Sequence, residues 1–288
     1  MFIMTKNLHD NNSASGTIIQ IIKGVYKRCN QDRITSLAAE IAFFLMLSVF
    51  PFIIFISSLG SYFLIPTDET INYIIKYIPD IIAPVVSAIA HEVVSKRSNT
   101  LISASMFGTI WAASGGISAI GRALNKAYDT NEKRPFWKLA GISLFLTFIT
   151  AVGFIVMFAG IVAGEQITLY ISSIIDTDVS FFALDAVRYI LSILSLFVFM
   201  IIIYHFAPSS SPSVRHCIPG AIFATAGWSL LSLPFSYYVS NFSNLSYTYG
   251  SIGGIAALMI WFYWNSILIL AGGELNASVH FLRNKNLK

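Results

Sequence analysis

Ile34-Thr-Ser-Leu-Ala-Ala-Glu40-Ile-Ala-Phe-Phe-Leu-Met-Leu-Ser-Val-Phe-Pro51-Phe-Ile-Ile-Phe-Ile-Ser-Ser-Leu-Gly-Ser-Tyr-Phe-Leu-Ile65 runs for 32 residues with one charged residue, Glu40. About 20 apolar residues suffice for a helix to cross the roughly 30 Å hydrocarbon core of a bilayer. Backbone amides in lipid must be satisfied within the segment, so the stretch reads as a transmembrane helix. Five further stretches share its character: 101–128, 137–163, 183–207, 217–240 and 251–279. The second of them is built from Ser, Ala and Gly and is the least apolar. The expected fold is an all-α integral membrane protein, a bundle of six transmembrane helices with short amphipathic interfacial helices.

Composition agrees with this reading. Apolar residues make up 56% of the chain and charged residues 11%, against about 25% charge in a soluble domain. So little polar material cannot cover a water-facing globule. The net charge of +4 forms no single basic face, which argues against a nucleic-acid partner. The first 33 residues lack an apolar core followed by a small-residue cleavage site, so no secretory signal is expected.

The cations sort by side. Lys6, Lys23, Lys27, Arg28 and Arg33 precede the first span. Arg122, Lys126, Lys133, Arg134 and Lys138 flank the connection between the second and third. Arg215 lies between the fourth and fifth, and Arg283, Lys285 and Lys288 follow the sixth. Fourteen of the 18 Lys and Arg thus fall on one side. Lys76, Lys96, Arg97 and Arg188 fall on the other, beside Asp68, Glu69, Asp80, Glu92, Glu165, Asp176, Asp178 and Asp185. This alternation predicts cytoplasmic N- and C-termini. It also places Cys29 and Cys217 on the reducing side, as free thiols prefer. The expected layout is a cytoplasmic segment 1–33, a membrane domain 34–283 and a short tail 284–288.

Two segments look interfacial. Thr17–Asp32 sets Ile18, Ile21, Ile22 and Val25 on one stripe apart from Lys23, Lys27 and Arg28, as in a helix lying along anionic headgroups. The segment 69–97 is apolar at helical spacing, but Pro79 and Pro84 break it. A seventh span there would bury Lys76, Asp80, His91 and Glu92 at high cost, so an external amphipathic pair is expected.

Ala104, Gly108, Ala112 and Gly116 give the second span a small residue every four positions, a seam that lets a neighbouring backbone approach. Gly160 with Gly164, and Gly250 with Gly254, repeat the spacing. Pro51 and Pro234 each remove one helical hydrogen bond and predict kinks. Polar groups inside spans point to function because each is costly to place there. Glu40, Arg122, Asn125, Lys126, His205, Glu274 and Asn276 all map to the cytoplasmic third of the bundle. The expectation is a Glu40–Arg122–Glu274 network, either a structural ion-pair lock or a polar vestibule for an ion, a proton or an anionic headgroup that Arg122 and Lys126 would hold. Asn265, far from both ends, is expected to bond a neighbouring helix.

Enzyme signatures are missing. His9, His91, His205, His216 and His280 form no HxH, HExxH or Cys/His pattern, and no GxSxG elbow occurs. Gly116-Ile-Ser-Ala-Ile-Gly-Arg122 lacks the Lys-Ser/Thr of a phosphate loop and does not follow a strand. No enzyme, metal or cofactor is expected; membrane lipids and envelope proteins are the expected partners.

Leu37-Ala-Ala-Glu40-Ile-Ala-Phe-Phe with Leu47-Ser-Val-Phe-Pro51-Phe resembles the first span of the YihY/BrkB family. So do Trp111-Ala-Ala-Ser-Gly-Gly-Ile-Ser-Ala-Ile-Gly-Arg122-Ala-Leu-Asn125-Lys-Ala-Tyr128, Tyr204-His-Phe-Ala-Pro208 with Pro219-Gly220-Ala, Tyr249-Gly250-Ser-Ile-Gly, and Gly273-Glu274-Leu-Asn276-Ala in their places. The resemblance spans nearly the whole chain after about Ser15. It implies a bacterial inner-membrane protein with six spans and a role in the envelope, with lipid or amphiphile transport suspected for members. Some members have carried a ribonuclease label, for which this sequence offers no residues. Two hypotheses follow: a transporter or flippase-like protein for a lipid or other envelope amphiphile, or a non-transporting scaffold for envelope machinery.

Overall fold

The computed structural model describes residues 14–63, 86–88, 99–135, 137–149, 152–153, 181–241 and 251–285. Its principal helices are α1 (Ala14–Gln31), α2 (Ile34–Phe63), α3 (Asn99–Ala127), α4 (Trp137–Ile149), α5 (Phe181–Phe206), α6 (Val214–Asn241) and α7 (Ser251–Lys285). No strand occurs among the described residues.

Within these helices Ile34–Phe55, Val214–Tyr238 and Gly253–Leu282 are long and apolar enough to cross a membrane. The 22 residues of the first reach about 33 Å at ~1.5 Å per residue. Trp137–Ile149 and Ile190–Phe206 are shorter apolar helices. The second expected span forms a helix of 29 residues, α3, whose many Ser, Thr, Ala and Gly make it the most polar of the set. Most of the expected external segment 69–97, the end of the third span beyond 153, and Gly160, Gly164 and Gly250 lie outside the described residues.

The distribution of side chains is inverted relative to a water-soluble bundle. Ala38, Ala42, Ala112, Ala119, Ala123, Ala221, Ala224 and Ala277 are buried, while Phe107, Trp111, Leu230 and Leu233 are each more than 60% exposed. Such a continuous apolar exterior is stable only against lipid, and an interior of small residues gives close helix contact where lipid removes the hydrophobic drive to associate.

Among the described residues, glycines bring helices together along two seams. Along α2 and α3, a Cβ built at Gly108 lies 3.4 Å from the Pro51 ring and one at Gly116 lies 3.5 Å from Phe44. At Gly115 a Cβ would lie 2.5 Å from the Phe44 ring, so any side chain there would have to displace that ring. Ala112 is 1% exposed. Ala104, however, faces outward, and Ser105 is buried in its place. The reason is geometric: four residues turn a helix by about 400°, so a strict four-residue stripe drifts by about 40° each step and after three steps has left the seam. Ser105, eleven residues before Gly116, returns to within about 20° of it.

Along α6 and α7, Gly220 meets the Gly272 carbonyl so closely that any Cβ would collide with it, and Gly227 admits the Leu268 side chain. Helix α6 continues through Pro219 and Pro234, and α2 through Pro51. Asn265 Nδ2 donates to Trp261 O at 2.8 Å, one turn back on its own helix and not on a neighbour.

Candidate functional site

One end of the bundle gathers the C-terminal ends of α1, α3, α5 and α7 with the starts of α2, α4 and α6. Local chemistry terminates the helices there. Helix α3 stops with Asp129 in the left-handed region (φ 51°), Thr130 N donating to Asn125 O at 2.9 Å, the paired-turn closure that a left-handed residue allows. Arg33 (φ 54°) makes the break between α1 and α2.

Three polar groups occupy this end. The first joins α2 to α3: Arg122 Nη2 donates to Glu40 Oε1. Both side chains remain open, 51% and 39% exposed, on the outer surface of the α2–α3 seam.

The second joins α1 to α3 and α7. Arg28 Nε donates to Glu274 Oε2 at 3.1 Å, and its Nη2 donates to the Ala127 carbonyl and, at 3.3 Å, to Asp129 Oδ2. Its guanidinium lies 5.0 Å from the centre of the Phe281 ring. Glu274 is 2% exposed. Lys126 Nζ donates to the Asp32 carbonyl at 2.7 Å and stands 3.8 Å from its carboxylate. Burial opposes the charge on Arg28, but Glu274 and Asp129 outweigh it and hold the guanidinium above its usual range.

The third ties the α3–α4 connection to the α5–α6 connection. Arg134 grips Glu132 with two bonds of 2.8 Å, Nε to Oε1 and Nη2 to Oε2. It also donates to the carbonyls of Ala207 at 2.8 Å and Phe206 at 3.3 Å, satisfying the end of α5 with a cation as the helix dipole favours. Asn125, buried, donates to Glu132 Oε2 at 2.8 Å and accepts from Ser209 N at 2.6 Å and Ser209 Oγ at 2.9 Å. The Arg134 fork holds the Glu132 carboxyl down at about 2.

The residues expected to form one cluster therefore divide among several. Glu40 and Arg122 meet. Glu274 pairs with Arg28 and not with Arg122, because it faces the α1 side of α7. Asn125 serves the loop network. Lys126 caps the turn after α1. His205 donates from Nδ1 to the Pro212 carbonyl at 2.7 Å and so braces the α5–α6 turn, away from the acids. Asn276 is fully buried at the α6–α7 seam, accepting from Gly220 N at 2.6 Å, with its Nδ2 unpartnered.

Arg28, Glu132 and Arg134 were not singled out by the sequence. A charge balance at this end would have flagged Arg28: two span acids, Glu40 and Glu274, faced one span arginine, Arg122. Helix α1 docks its C-terminal turn on α7 through that arginine. Among the described residues no three of His, Cys, Asp and Glu gather as metal ligands. A shallow recess of about 190 Å³ between α2 and α7, lined by Ala39, Ala42, Met259, Ile260 and Tyr263, is apolar and suits hydrocarbon.

Residues 25–287 match the description of a single family, virulence factor BrkB. The chain is 39% identical over 263 residues to a ribonuclease-like protein, YfkH, of Bacillus subtilis, covering 91% of this chain and 96% of that one. It is 22% identical to a UPF0761 membrane protein of Aggregatibacter aphrophilus, covering 91% and 92%, and 27% identical to one of Aliivibrio salmonicida, covering 88% and 81%. No solved structure matches. With its apolar helices, its inverted packing and this match over most of its length, the chain belongs to the virulence factor BrkB family of membrane proteins.

Proposed function

We propose that this protein is a six-span protein of the bacterial inner membrane, with both termini cytoplasmic, that moves a lipid or other envelope amphiphile between leaflets. The observation that carries this reading is the Arg122–Glu40 pair, about half exposed on both partners. An ion pair buried for structure alone is sealed from its surroundings. This one stands on the outer surface of the α2–α3 seam at the basic end of the bundle, where the sorting of lysines and arginines favours the inner leaflet. A guanidinium there keeps donors free to exchange Glu40 for an anionic headgroup. Membrane lipids are then both solvent and cargo.

Supporting the placement, the basic residues of the α3–α4 connection, the α5–α6 connection and the end of α1 all stand at one end of the bundle, and the named relatives are bacterial membrane proteins. The ribonuclease-like name of one relative finds no counterpart among the described residues: we infer a non-enzymatic role, since His205 and His216 bond at the α5–α6 connection and Glu40, Glu132 and Glu274 bond to arginines.

The test is reconstitution. In proteoliposomes carrying headgroup-labelled phosphatidylglycerol, the wild-type protein should accelerate exchange between leaflets. Glu40→Gln and Arg122→Gln should each abolish that acceleration with expression and monodispersity unchanged. A wild-type protein that moves no lipid sinks the transport reading. Loss of folded protein in both variants would assign the pair to structure and favour a scaffold for envelope proteins.

A further inference from the structure

Glu274 is a nearly inaccessible carboxylate on an apolar helix, and its counterion comes from outside the bundle, on α1, 246 residues away in sequence. Charged groups face it from each element packed there. Helix α1 brings Arg28, Cys29 and Asp32, whose carboxyl stands beside that of Glu274. The end of α3 brings Lys126, occupied by Asp32, and Asp129, occupied by Arg28. His280 lies on α7 itself, nearly two turns further on. Three carboxyls, those of Asp32, Asp129 and Glu274, thus share two cations. The one most withdrawn from water is Glu274, at 2% exposed, against 18% for Asp32 and 69% for Asp129. An uncompensated negative charge in a low-dielectric site is relieved most cheaply by a proton.

We propose that Glu274 is a proton-binding site at which Arg28 is the competitor, so that α1 is held on the bundle while Glu274 is ionised and is let go when Glu274 is protonated. In the held state the guanidinium neutralises the carboxylate. In the released state a hydronium ion on the α1 side gives its proton to a carboxyl oxygen of Glu274 and leaves as water. Arg28 keeps its own proton and its charge, turns from Glu274 and Ala127 O towards Asp129 and water, and α1 rests on the headgroups as its amphipathic pattern allows. The sign follows: α1 is docked at higher pH and undocks as pH falls through the ionisation of Glu274. Because either a cation or a proton neutralises the acid, the bundle itself stays folded in both states. The inference goes beyond the transport reading and holds whether or not any amphiphile is moved.

The chain's own two cysteines report the two halves of the claim. Cys29 is half buried on α1 and Cys217 is fully buried in α6. Burial pushes the Cys29 thiol up to about 11, so it reacts slowly while α1 is docked. The full-length protein is placed in phosphatidylglycerol–phosphatidylethanolamine nanodiscs and exposed to a maleimide at neutral pH. Glu274→Gln, which imitates the protonated acid, should raise the labelling rate of Cys29 by about 10-fold or more, the size expected when a minor state becomes the major one. Cys217 should stay protected. Glu274→Asp, which keeps the charge, should label Cys29 as slowly as the wild type.

Amide hydrogen exchange supplies the proton itself. Corrected for intrinsic rates, exchange in α1 should quicken between pH 8 and pH 5.5 in the wild type and show no pH dependence in Glu274→Gln. Unchanged Cys29 labelling in Glu274→Gln overturns the proposal. So does joint exposure of Cys29 and Cys217, which would make the pair a tie of the whole fold, or persistent pH dependence in Glu274→Gln, which would put the proton elsewhere. If Glu274→Gln does not fold, wild-type exchange decides alone: pH-independent α1 amides overturn the idea, and quickening at low pH supports it.

Discussion

Glu40 and Glu274 both stand on apolar helices and both meet an arginine, yet they differ in what the pairing is worth. Glu40 shares Arg122 at the bundle's outer surface, with each side chain still about half open. Glu274 is sealed, and it draws in a residue from the preceding helix α1 to be neutralised. An exposed pair gains little, since water and salt serve each charge nearly as well. A buried pair is different: it adds little over an apolar replacement, but removing one partner strands the other. The same two residue types therefore make an exchangeable contact in one place and, while Glu274 is ionised, an obligatory one in the other.

The sharpest way to break this contrast is to remove Arg28. With Glu274 left buried and unpaired, Arg28→Ala should lower unfolding free energy in detergent at pH 8 by about 3–5 kcal/mol. A loss under about 1 kcal/mol, the range of exposed pairs, would show Glu274 to be less enclosed than its burial implies. Next in size comes the outer pair. Glu40→Gln and Arg122→Gln should each change stability by no more than about 1 kcal/mol, and a double-mutant cycle should give a coupling of similar size. That coupling should fade as salt rises from about 0.05 to 0.5 M, where screening shortens to a few ångströms. A coupling that survives high salt would erase the distinction between the two acids.

The smallest effect belongs to the loop carboxylate. Glu132, held at about 2 by Arg134, is depressed below its unfolded value of about 4.3. Its contribution is then fully present above about pH 4.3 and lost as pH falls through about 2. Thermal unfolding at pH 4.5 and pH 2.5 should differ less in Glu132→Gln than in the wild type, and equal differences would remove Glu132 from the account.

How far the sequence carried depends on the range of the physics involved. Helices α2, α6 and α7 were legible because crossing a bilayer is a local demand, met or failed within about 20 residues. The small-residue seam of α3 was legible in part: Gly108, Ala112 and Gly116 face α2, and Ala104 does not, because a four-residue repeat is not the helical period. The pairing of Arg122 with Glu40 could be guessed from depth alone. The partner of Glu274 could not, since depth places two arginines at the same level and only rotation about α7 chooses between them. The partners of His205 and Asn276 were out of reach for a related reason. Each was counted as a polar group seeking company in the bundle, and each found a backbone group, Pro212 O and Gly220 N, that no side-chain inventory contains. Arg134 was counted only for its sign, although an arginine two residues from a glutamate and near the end of another helix has every means to bind both.

The clasp formed by Arg134, Glu132, Asn125 and Ser209 ties together two connections at one end of the bundle. It stitches the exit of α3 to the exit of α5 with donors and acceptors that must all part together, so those two rods share a fulcrum. Any rearrangement leaving the stitch intact swings their far tips instead. A rocking of about 10° over a rod ~30 Å long would carry its tip roughly 5 Å while its root stayed in place.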